Sequence, residues 1–193
     1  MKKKTIFFDF FGVICSEIAP FWLVRYFDEK EAVRVKADIV ARADKGEISE
    51  AEMFRLLGEK TGCDPEAALR DWLDLAVIDQ VMVDYVKELH GSYDLVLLSN
   101  APADFLNRLL RENDLYPLFD HIIISSDVGL TKPGVEIYKL MLDKTGADPK
   151  DCVMIDDNPA NISGAINAGL SGIIYQDIDQ LRTALKAWTE ARS

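Results

Sequence analysis

The chain is poor in the groups that serve redox, zinc and nucleic-acid chemistry. Its three cysteines, Cys15, Cys63 and Cys152, are widely scattered. An odd number without ligand or disulfide spacing points to reduced thiols in a cytoplasmic protein. Two histidines, His90 and His121, are too few and too isolated for an imidazole metal site. Lys and Arg number 22 against 33 Asp and Glu, for a formal net charge of −11, so the basic footprint of a nucleic-acid-binding protein is missing. The one basic run, residues 2–4, is too short for a polybasic membrane patch. No stretch of 18 apolar residues occurs, which excludes a spanning helix. Internal repeats, linkers and low-complexity tracts are absent as well. An anionic ligand would have to be held by local cations working against the overall field.

What is present is an ordinary globular composition. Hydrophobic residues make up 49% and charged residues 28% of 193 positions, enough for one sizeable core with a small inserted unit. The start, three lysines followed by an apolar segment, resembles a secretion signal. Asp9 interrupts the segment and no small-x-small site follows closely, so a buried first strand behind a solvated lysine cluster is expected.

Residues 5–9 are aromatic and β-branched, which suits a buried parallel strand, and Gly12 breaks it. Residues 19–42 carry apolar side chains at helical spacing and predict one long helical region. Ser49 with Glu52 three residues on reads as a capping box. Asp64 before Pro65 reads as a second helix start. Strand-like and helix-like segments then alternate. Helices are expected over 79–90, 103–113, 133–146, 159–168 and 178–191, and strands at "YDLVLLSN", "HIIISS", "DCVMIDDN" and "SGIIYQD". This alternation predicts an α/β fold, a doubly wound, Rossmann-like parallel sheet. Residues 1–14 and 79–193 would form the core, and 15–78 a small α-helical bundle inserted after the first strand.

Ligands of open parallel sheets sit beyond the carboxyl ends of the strands. Four such ends are polar: Asp9, then Ser99-Asn100, then a loop carrying Thr131-Lys132-Pro133, then Asp156-Asp157-Asn158. Each piece alone is an ordinary cap or loop. Together they would bring three carboxylates and a lysine to one edge. Three close carboxylates need a cation, and oxygen-only ligands favour Mg²⁺. Lysine suits a phosphate oxygen, Ser99 and Asn100 can donate to phosphoryl oxygens, and a carboxylate such as Asp9 can act as nucleophile.

With these segments in place, the sequence resembles the haloacid dehalogenase (HAD) superfamily of aspartyl-nucleophile hydrolases, mostly Mg²⁺-dependent phosphatases. The resemblance rests on "FDFFGV" at 8–13, "LLSN" at 97–100, Lys132-Pro133 and "IDDN" at 155–158, and it spans nearly the whole chain. "KGEIS", "DVGLTKP" and "IDDNPANISGA" are most similar to glucose-1-phosphate phosphatase-like and epoxide-hydrolase N-terminal-like members. It implies Asp9 as nucleophile and metal ligand, the Phe11 carbonyl as a further ligand, and Asp156 and Asp157 as the rest of the metal site. Ser99 and Asn100 would hold the phosphoryl group, and Lys132 would bridge nucleophile and phosphoryl oxygen. The helical insert would be a cap.

Phe11 departs from the family pattern. Most of the phosphatases carry an acid/base aspartate there, worth ~10²–10⁴-fold in rate. Three readings compete. The first is a phosphatase for a small phosphorylated metabolite, such as a sugar phosphate with a good leaving group. The second is a 2-haloacid dehalogenase, against which the Asp156-Asp157 pair argues. The third is a weakly active binding or regulatory protein. A monomer or homodimer is expected. Of the insert's side chains, the aromatic ones (Phe21, Trp22, Tyr26, Phe27, Trp72) are expected to form its core, and Arg25, Arg42 and Lys45 a solvated face.

Overall fold

The computed structural model describes residues 3–191. Five parallel strands form one sheet: β1 (Thr5–Phe8), β2 (Asp94–Ser99), β3 (His121–Ile124), β4 (Cys152–Asp156) and β5 (Ser171–Ile174), in the order β3-β2-β1-β4-β5. β1 is central, with Phe8 opposite both Leu97 and Ile155. The continuous apolar runs are explained by burial on both faces. Ile6, Phe8, Leu95, Leu97, Val153 and Ile155 enter one core cluster. Their alternates Phe7, Val96, Leu98, Cys152 and Met154 enter the other.

Between β1 and β2 the described chain is helical. It runs through α1 (Ala19–Leu23), α2 (Glu29–Val35), a π-helical turn (Lys36–Val40), α3 (Ala41–Asp44), α4 (Glu50–Thr61), α5 (Pro65–Leu75) and α6 (Gln80–Leu89). The later helices are α7 (Ala103–Glu112), α8 (Ser125–Val128), α9 (Val135–Thr145), α10 (Pro159–Asn167) and α11 (Ile178–Glu190). The long helical region expected over 19–42 is present but broken into several pieces. Asp28 takes extended backbone angles and accepts from the Glu31 amide, which starts a new helix in mid-segment. "HIIISS" also ends early, because Ser125 and Ser126 begin the short α8.

Other starts follow their caps. Ser49 accepts from the Glu52 amide at 3.1 Å, although the Glu52 carboxylate turns to Arg55 rather than completing a capping box. Asp64 and Asp79 cap α5 and α6. Of the insert's aromatic residues, Trp22 and Trp72 are buried, whereas Phe21 and Tyr26 are exposed. Arg25, Arg42 and Lys45 make surface ion pairs with Asp71 and Glu47.

The insert leaves and rejoins the core at one place. Cys15 bridges both Phe11 and Ile78. The Ser16 hydroxyl donates to the Leu75 carbonyl and accepts from the Val77 amide, while the Asp79 amide donates to Ile14. The two connecting segments are thus tied side by side directly after the loop that follows β1.

Candidate active site

Because Phe8 and Ile155 pair across adjacent strands, the next residues, Asp9 and Asp156, emerge at the same level of the sheet edge. The Asp9 amide extends the pairing to the Ile155 carbonyl at 2.9 Å. Lys132, from the loop after α8, lies between the two carboxylates. Its Nζ is 2.7 Å from Asp9 Oδ1 and 2.6 Å from Asp156 Oδ2, and all three residues are buried. The Phe10 amide donates to Asp9 Oδ1 at 2.7 Å. Asn100, after β2, fixes the lysine through its backbone: its amide donates to the Lys132 carbonyl and its oxygen accepts from the Lys132 amide, both at 2.9 Å.

Asp156 is saturated by protein donors. Besides Lys132 it accepts from the Asn158 amide at 2.9 Å and from Asn161 Nδ2 on both oxygens, at 3.0 and 3.1 Å. Asp157 is half-buried and faces the cavity. A side-chain carbon on Gly12, whose φ is +82°, would collide with its carboxylate, so only glycine leaves room for Asp157 there. Ligand oxygens of Asp9, Asp156 and Asp157 lie within 4.8 Å of one another.

Burial pushes the Asp9 carboxyl well above its usual range, against the pull of Lys132 and with the push of Asp156. Burial likewise raises Asp157, with Asp156 adding to the rise. Lys132 is held above its ordinary value by Asp9 and Asp156, although burial opposes its charge. The cluster therefore has more negative charge than its one lysine offsets. Its donors are all carboxylate oxygens, and a hard divalent cation fits that set.

A cavity of about 270 Å³ opens over the cluster, with Asp9, Phe11, Asn100, Lys132 and Asp157 in its wall. Phe11 is no isolated substitution. Its ring packs edge-on to Phe10 and lies against Phe105, which in turn meets Trp72 at 5.9 Å between centroids. Ser99 is fully buried and outside the cavity wall, and among the described residues its hydroxyl has no hydrogen-bond partner.

The far wall of the cavity is formed by residues that the sequence alone does not single out. Lys36, Val40, Ala41 and Asp44, one face of the α2–α3 run, close the cavity together with Glu17. Their spacing was a visible signal, but one that does not say which helical face meets the sheet edge. Asn161, on α10, joins the site by donating to both Asp156 oxygens.

Residues 3–169 match the haloacid dehalogenase-like hydrolase family, and the chain belongs to that family. It is 40% identical over 99 residues to bifunctional epoxide hydrolase 2 of Sus scrofa, covering 50% of this chain and 17% of that protein. It is 28% identical over 185 residues to D-ribitol-5-phosphate phosphatase of Bacteroides thetaiotaomicron, covering 82% and 85% of the two. The chain spans less than a third of the length of the longer curated relatives it matches first. A HAD family enzyme of Bacteroides thetaiotaomicron, solved in complex with magnesium and inorganic phosphate, has the same fold. Its TM-score is 0.76 at 24% identity, over 93% of this chain and 98% of that one. Among the described residues no helix is long and apolar enough to cross a membrane.

Proposed function

We propose that the chain is a Mg²⁺-dependent phosphoric monoester hydrolase acting on a small phosphorylated metabolite, a sugar or polyol phosphate being the favoured class. The observation that carries this reading is the buried Asp9–Lys132–Asp156 triad with Asp157 beside it, at the floor of a small cavity. Phosphatases among the relatives, one of them covering most of both chains, support it.

Asp9 attacks phosphorus and becomes an aspartyl-phosphate, which water then cleaves. Lys132 holds Asp9 in place and meets the phosphoryl oxygens, and Asn100 keeps the lysine loop at the correct height. Asp9, Asp157 and the Phe11 carbonyl would hold the metal directly. Asp156, its oxygens already engaged, supports Lys132 and contributes charge. The bound Mg²⁺ would neutralise phosphoryl and carboxylate charge. The helical block of residues 15–78 serves as a cap over a core of 1–14 and 79–193, and the protein works in the cytoplasm as a monomer or homodimer. The adjacent Asp156 and Asp157 disfavour metal-free dehalogenation.

The test is a panel of phosphate esters assayed with Mg²⁺, with EDTA, and with Asp9→Asn. Turnover lost in the last two conditions is expected. Turnover that survives both rules the mechanism out.

A further inference from the structure

The reaction just proposed lacks a proton donor at the usual place, since the Phe11 ring can neither give nor take a proton. The cavity wall opposite contains one. Asp44 ends α3 and faces the same cavity as Asp9 and Lys132. The backbone around it is locked to the core. The buried Ser125 hydroxyl donates to the Asp44 carbonyl and accepts from the Ala101 amide at 2.9 Å, directly after Asn100. Two residues on, Gly46 has a φ of +75° and lies so close to the Ser126 carbonyl that a side-chain carbon would collide with it. The helical insert is therefore fixed to the core at the height of this residue.

Resting on the phosphatase reading, we propose that Asp44 is the catalytic acid and base that replaces the missing aspartate at position 11. As Asp9 attacks and the phosphorus–oxygen ester bond breaks, the Asp44 carboxyl gives its proton to the departing alkoxide, yielding the free alcohol and an Asp44 carboxylate. That carboxylate then takes one proton from the water whose oxygen attacks the aspartyl-phosphate. The phosphorus–Asp9 bond breaks, inorganic phosphate leaves, and Asp9 and Asp44 return to their starting forms. No further reactant is needed.

The surroundings suit this work. Burial raises the Asp44 carboxyl to about 7, close to the value at which a group can both donate and accept near neutrality. Lys36 on the same helical run opposes the rise, Glu17 from the loop before α1 adds to it, and Lys132 from the core lowers it. Glu17 itself is raised by burial, with Lys36 opposing.

The experiment compares an alkyl phosphate with an aryl phosphate, whose leaving group needs no proton. With Asp44→Asn, kcat/KM, which reports departure of the leaving group and not the later water step, is expected to fall roughly 100-fold on the alkyl ester and by less than about threefold on the aryl ester. In the wild type, kcat/KM on the alkyl ester falls as pH rises through the Asp44 value, because the acid is active only when protonated; the variant loses that alkaline limb. Adding Phe11→Asp to Asp44→Asn should return at least about tenfold of the lost alkyl-ester rate, which mere repair of structure would not do. Equal losses on both esters, a retained limb, or no recovery in the double variant each overturn the assignment. Aryl-ester turnover that depends on Asp9 reports separately on the phosphatase reading. A wild type inactive on both esters overturns that reading and this one together.

Discussion

Lys132 carries the electrostatic load of the site. Among the described residues it is the one cation within bonding distance of two buried carboxylates. Replacing a buried charge partner with an apolar residue leaves the remaining charges uncompensated, which typically costs 3–5 kcal/mol. Lys132→Met is therefore expected to lower unfolding stability by about 3 kcal/mol in buffer with EDTA, and Mg²⁺ should restore part of it by neutralising the same carboxylates. Denaturant melts with and without the ion measure both effects. Equal loss in the two buffers would show that no cation reaches the carboxylates. The aromatic position 11 follows another logic. Phe11 is the near end of a packed series running through Phe105 to Trp72, so its ring contributes to seating the insert on the core as well as removing an acid.

The turn between α3 and α4 has a disproportionate effect for its length. Gly46→Ala would meet both a left-handed backbone conformation and the Ser126 carbonyl, at a cost of about 1–3 kcal/mol. If that turn aligns the cavity wall, the variant should lose alkyl-ester turnover more than aryl-ester turnover while still melting cooperatively. A loss of melting temperature with the ester ratio unchanged would assign the turn to stability alone. Much of this architecture was legible in the chain. The strands announced themselves as continuous apolar runs because both sheet faces are covered. Asp64 and Ser49 marked helix starts by their capping chemistry, and the polar strand ends pointed to one edge. Asp28 misled because its neighbours keep helical spacing on both sides of a break. Lys36, Glu17 and Asp44 were overlooked because their importance arises only once the insert has folded back over the sheet.

With a formal charge of −11, the molecule as a whole would repel the dianionic phosphate ester proposed as its substrate. Raising ionic strength from 0.01 to 0.1 M shortens the screening length from about 30 to about 10 Å. At saturating Mg²⁺, kcat/KM for a phosphate ester is thus expected to rise several-fold over that range, with kcat nearly constant. A fall would mean that the local cations dominate the approach. The sheet order has a consequence of a different kind, for the time course of folding. β1 precedes both of its neighbours by a long stretch of chain: β2 follows only after the whole helical insert, and β4 only after β3 and α9 as well. A sheet built on such distant pairings closes slowly. On the ribosome, the phenylalanine-rich segment that ends in Asp9 has no strand partner until β2 emerges and an open second edge until β4 does, so a strand buried in the centre of the finished sheet is exposed to misassociation while the protein is being made.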